Sequence, residues 1–102
     1  METIKPSQNS PIGIFDSGLG GLTVLKSLET ILPNESFIYF GDTAHVPYGT
    51  KSAETVIRYS QHIMDFFQKH ETKAVVIACN TASAVAFQHL QQLYNIPLFD
   101  VV

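Results

Sequence analysis

The chain has 102 residues, of which 45% are apolar and 15% charged, and its net charge is −3. That length holds one small domain and excludes two, the apolar content excludes disorder, and six basic residues against nine acidic ones exclude the basic stripe of a nucleic-acid-binding domain. Charge this sparse, against an ordinary ~25%, points to surface that something outside the chain covers.

Residues 1–10 read as a loose polar tail, and Met1 to Ser10 lacks the apolar core of a signal peptide. Pro11 to Phe15 is a short apolar run, expected to be a buried strand ending at the turn Asp16-Ser17-Gly18. Leu22, Leu25, Leu28 and Leu32 recur at helical spacing, which predicts a helix over Gly20–Leu32 stopped by Pro33-Asn34. Ser36 to Phe40 is a second strand, and a loop over Ala44 to Thr50 follows it. Ser52 is the expected N-cap of a helix running to Lys69, with Glu54 in its first turn and an apolar stripe of Val56, Ile57, Ile63, Met64 and Phe67. Ala74 to Ala78 is apolar on both faces, as in parallel sheets covered by helices on both sides. Thr81 to Tyr94 is the next helix, with Ala82, Val85, Ala86, Leu90 and Leu93 inward, and Leu98 to Val102 opens a fourth strand.

The order βαβαβαβ predicts an α/β fold: a parallel, doubly wound, flavodoxin-like three-layer sheet, incomplete at the C-terminus. Residues 11–102 form the domain. Its last strand carries Phe99, Val101 and Val102 to the final residue without a helix to cover it, so the chain is expected to be the N-terminal part of a longer protein. The longest apolar run, Ala74 to Cys79, is far too short for a bilayer, and the single Cys leaves no intrachain disulfide, so a reducing, cytoplasmic setting is expected with no membrane partner.

In such a sheet every strand's C-terminal end lies on one rim, where ligands bind. Asp16-Ser17-Gly18, Gly41-Asp42-Thr43 and Cys79-Asn80-Thr81 each follow directly on a strand, and together they make a candidate active site. Cys79 stands where a strand gives way to a helix, whose unpaired N–H groups stabilise a thiolate. The plainer reading is a buried structural cysteine. Asp16 reads as a base, as a ligand for a substrate ammonium, or as a cap for the glycine turn, and Asp42 shares that ambiguity. Tyr48-Gly49 lies in a loop over the same rim, either as a lid or as a ligand contact. The four histidines, His45, His62, His70 and His89, lack metal-ligand spacing, and no metal is implied.

Four segments resemble the glutamate racemase family: Ile14-Phe15-Asp16-Ser17-Gly18-Leu19-Gly20-Gly21-Leu22-Thr23-Val24, Tyr39-Phe40-Gly41-Asp42-Thr43-Ala44, Pro47-Tyr48-Gly49-Thr50-Lys51-Ser52 and Ala78-Cys79-Asn80-Thr81-Ala82-Ser83. The resemblance implies cofactor-independent interconversion of L- and D-glutamate for bacterial peptidoglycan. It implies two similar α/β domains, with one cysteine on each side of the substrate α-carbon. Cys79 matches the first of these cysteines. Asp16 and Ser17 match substrate contacts, with Asp16 assisting Cys79. Tyr48 and Gly49 match the carboxylate side, and Asn80 and Thr81 the α-carboxylate region. The second cysteine motif and second domain are absent from this chain, His45 stands where Arg is frequent, and Phe99-Asp100 stands where Ile-Gly is expected. About two fifths of such an enzyme, holding half an active site, is the expectation, with a homodimer left open.

Two other readings compete. Gly18-Leu19-Gly20 opens a helix after a strand and Asp42 ends the next strand, as in a dinucleotide-binding unit, although position 23 of that fingerprint is Thr23 and Asp16 would face the pyrophosphate. A non-catalytic interaction fragment would account for the sparse charge and the bare last strand.

Overall fold

A computed structural model describes residues 8–18 and 20–100. Residues 1–7 of the predicted tail, Leu19 of the first motif, and Val101 and Val102 of the predicted last strand lie outside the described residues.

The elements run β1 (Ile12–Asp16), α1 (Gly21–Ile31), β2 (Phe37–Gly41), α2 (Ala53–Lys69), β3 (Ala74–Ile77), α3 (Asn80–Leu93) and β4 (Leu98–Asp100). All strand pairs are parallel, in the order β2-β1-β3-β4. This is the flavodoxin-type arrangement, with its topological switch between β1 and β3. The predicted loop over 44–50 is more ordered than expected. It holds two single 3-10 turns, Thr43–His45 and Tyr48–Thr50, on either side of a cis Val46–Pro47 peptide bond. Ser52 caps α2 as its type and position predict, its hydroxyl accepting from Thr55 N–H at 3.2 Å.

Strand alternation gives the sheet two faces. On one, Phe15, Val75, Ile77 and Leu98 pack under α2 and α3 against Val56, Ile63, Met64, Phe67, Ala82, Ala86 and Leu90 in a single core. The ring of Phe67 lies on Gly13, where an added Cβ would stand 2.7 Å from it. Glycine in this strand thus gives a large aromatic room to meet the backbone. On the other face α1 is the one helix among the described residues. Ile12, Val24, Leu28, Leu32, Ala74, Val76 and Phe99 line an apolar groove of about 320 Å³ beside it.

Three leucines of the predicted helical stripes turn outward, Leu93 against the expectation that it faces inward. Leu22 is 57% exposed and Leu32 38% exposed; they bracket α1, whose middle alone rests on the sheet. Leu93 is 55% exposed, because it is the last residue of α3, where the apolar stripe runs off the packed surface. Among the described residues no helix is long and apolar enough to cross a membrane.

Candidate active site at the C-terminal rim

Asp16 closes β1 and is buried. Its Oδ2 accepts the Gly21 N–H at 2.9 Å and the Tyr39 hydroxyl at 3.1 Å. Its Oδ1 is buried with no hydrogen-bond partner among the described residues. The cap reading is therefore correct as far as it goes: Asp16 satisfies the first N–H of α1, whose N-cap residue Gly20 has no side chain to do so. It also occupies the position where a dinucleotide would place its pyrophosphate, which argues against that alternative.

Asp42 follows β2, and its backbone N–H donates to the Asp16 carbonyl at 2.9 Å, joining the two strand ends. Its carboxylate is shared. The Tyr48 hydroxyl donates to Oδ2 at 2.5 Å, and His45 Nδ1 lies 2.8 Å from Oδ1. The His45 ring in turn stacks on Tyr59 at 3.9 Å between centroids. Tyr48 belongs to the core: it is 2% exposed and meets Phe15 edge-on. Burial first, and then the Asp42 carboxylate, push its phenol well above the ordinary tyrosine range, so the hydroxyl remains a donor. The ring anchors the loop from below, and the exposed Gly49 beside it faces solvent. A Cβ added to Gly49 would lie 3.9 Å from Thr81 Oγ1, so this loop and the first turn of α3 are neighbours.

Cys79 is the N-cap of α3. Its Sγ accepts the Ala82 N–H at 3.5 Å, and the residue is 7% exposed. The thiol thus sits against the positive end of a helix dipole, at the strand end next to Asp16. The adjacent Ala78 N–H donates to the Phe15 carbonyl at 2.7 Å and ties the two ends together. Asn80 is exposed, and Thr81 and Ser17 are half-buried. The rim thus gathers Asp16, Ser17, Asp42, Gly49, Cys79, Asn80 and Thr81 at the strand ends and the loop over them, while Tyr48 sits beneath in the core. His62 and His89 are exposed on α2 and α3, and His70 is exposed at the C-cap of α2, away from the rim. Two participants escaped the sequence reading. Tyr39 reaches Asp16, and Tyr59 stacks on His45. The signal for Tyr39 was available: a polar-tipped aromatic two residues before the strand end, on the same face as Asp16.

Residues 12–102 match the family model described as Asp/Glu/Hydantoin racemase. The chain belongs to this racemase family. It is 60% identical over 91 residues to the glutamate racemase of Geobacter metallireducens, a match covering 89% of this chain and 34% of that one. Against Neisseria meningitidis glutamate racemase it is 53% identical over 103 residues, covering 37% of the relative. Among solved racemases, the Francisella tularensis enzyme in complex with D-glutamate superposes with a TM-score of 0.86 at 52% identity, covering 91% of this chain and 36% of that one. The Thermus thermophilus enzyme in complex with β-chloro-D-alanine gives 0.87 at 52% identity, covering 92% and 37%. The chain thus spans little more than a third of the length of these racemases.

Proposed function

We propose that this chain supplies one half of the active site of a glutamate racemase. In this reading Cys79 is one of two thiols that work on opposite faces of the substrate α-carbon. Its thiolate takes the α-proton from one enantiomer, and a thiol on the far side, supplied from outside this chain, delivers a proton to the other face. The two thiols exchange protonation states and the product is the mirror image. Asp16 and Ser17 contact the substrate, with Asp16 assisting Cys79. Gly49 holds the carboxylate side from the loop that Tyr48 anchors, and Asn80 and Thr81 hold the α-carboxylate, where developing charge meets backbone N–H donors. No cofactor enters the reaction. The setting is the bacterial cytoplasm, and the product serves peptidoglycan.

The observation that carries this reading is the placement of Cys79 at the N-terminus of α3 on the same rim as Asp16, in a chain about half identical to glutamate racemases. A general base needs a proton acceptor held at a defined point, and a capping thiol is so held. A single thiol reaches one face only, so inversion needs a second.

The test is incubation with L-glutamate or D-glutamate in D₂O, with proton NMR following the α-proton and chiral analysis following inversion. Exchange of one enantiomer without inversion is the expected result. Cys79→Ala should lower that exchange by about 10²–10⁴-fold. Full racemisation by the chain would overturn the half-site reading and indicate a dimer with two copies of Cys79 at one substrate. Exchange that survives Cys79→Ala would remove Cys79 from the reaction.

A further inference from the structure

The register of β1 and β2 pairs Ile14 with Tyr39 and Asp16 with Gly41. Tyr39 therefore stands one same-face position behind Asp16 on the neighbouring strand. Its ring runs forward over Gly41, where an added Cβ would come within 2.9 Å of ring Cε1 and 3.0 Å of the hydroxyl. The hydroxyl then donates to Asp16 Oδ2, the oxygen that already accepts from Gly21 N–H. Two donors from different elements, β2 and α1, fix the rotation of the carboxylate. They saturate one side of it, while Oδ1 is left buried without a donor among the described residues. A carboxylate has acceptor capacity on both oxygens, and native proteins rarely leave such a buried acceptor unpaired without a functional reason.

We propose that Tyr39 is a positioning residue for Asp16. Given passage by Gly41, it commits Oδ2 to the protein and reserves Oδ1 for an N–H or O–H donor carried by a bound amino acid. The inference rests on the reading that Asp16 faces substrate. Oδ1 is covered in this structure, so its donor arrives as the ligand seats and the rim rearranges. Burial, followed by the charge of Asp16, raises the Tyr39 phenol above its ordinary range, so the hydroxyl stays protonated and donating at neutral pH.

The test uses four variants of the whole chain: Tyr39→Phe, Gly41→Ala, Asp16→Asn and, as a control, Tyr94→Phe, which deletes a tyrosine–aspartate bond between Tyr94 and Asp65 away from the rim. Binding of D- and L-glutamate is followed by NMR, together with the Asp16 ¹³Cγ resonance and the alkaline titration of Tyr39 ¹³Cζ. The expected result is that Tyr39→Phe weakens glutamate binding by roughly three- to tenfold. Gly41→Ala, which displaces the ring and keeps the phenol, should do the same, and Tyr94→Phe should leave affinity unchanged. Asp16→Asn should lower the Tyr39 titration, and glutamate should move the Asp16 ¹³Cγ resonance in the wild type. Wild-type affinity in Tyr39→Phe, or a ¹³Cγ resonance indifferent to bound glutamate, would overturn the proposal. A wild-type chain that binds no glutamate would sink the functional reading instead, while the Tyr39 titration in Asp16→Asn still decides whether the two residues act as a unit.

Discussion

The two faces of the sheet are built to different standards. Under α2 and α3 the side chains interlock: Phe15, Phe67, Val75, Ile77 and Leu90 are fully buried in one core, and Tyr94 ties α3 to α2 by donating to the Gln61 carbonyl. On the α1 face Ile14 is fully buried, but Ile12, Val24, Leu25, Leu28 and Val76 are only half-buried, and Ile31 and Phe99 lie 69% and 57% exposed. The apolar residues of the two faces are of the same kind. The difference is one of coverage, because four strands at ~4.8 Å spacing are wider than one helix of ~10 Å. Two helices side by side cover the sheet, and one cannot. Apolar content along a strand or helix therefore states a demand for burial, while the number of helices on a face determines how far that demand is met.

Paired truncations put this contrast to its strongest test. Phe67→Ala should cost about 3–5 kcal/mol, since the ring is fully buried on Gly13 and its removal leaves a cavity. Leu28→Ala, on the open face, should cost only ~1 kcal/mol, because part of that side chain is already in water. Urea denaturation measures both, and equal losses would abolish the distinction between the faces.

Alkaline pH probes the packed side more gently. The Tyr48 phenol is raised by burial and by its bond to Asp42, so its contribution is fully present below pH ~10, where an unfolded tyrosine is still protonated. As pH climbs past that point the unfolded chain ionises and the contribution is lost. Tyr48→Phe should therefore cost ~1–2 kcal/mol at neutral pH. The gap between variant and wild type should narrow above pH ~10, and a gap that stays constant with pH would show that burial of Tyr48 is not coupled to folding. The smallest effect belongs to the open face. Ile31→Lys should change stability by no more than ~0.5 kcal/mol, as expected of an exposed position, and a large thermal shift would reveal packing there.

Much of the rim was legible in the sequence. The polar triplets after β1, β2 and β3 stand out because apolar strands rarely end in such clusters, and the βαβ order alone brings their positions to one rim. Cys79 was legible as a residue at a strand-to-helix junction, though not as the cap that accepts from Ala82. Tyr48 was read as a loop aromatic over the rim and is in fact a core residue whose hydroxyl turns inward to Asp42. The reason is that a short loop with two 3-10 turns folds back over Phe15, which composition does not encode.

The sequence by itself determined the alternation of strands and helices, their boundaries to within a residue or two, and the kinds of chemical groups that end each strand. These follow from local periodicity, turn residues and capping. Only the tertiary structure decided that β1 lies between β2 and β3, and that one oxygen of Asp16 is held by both Tyr39 and Gly21 while the other has no donor among the described residues. Those choices depend on register between strands distant in sequence and on how many helices each face receives. Both are set by the packing of the whole chain rather than by any one stretch of it.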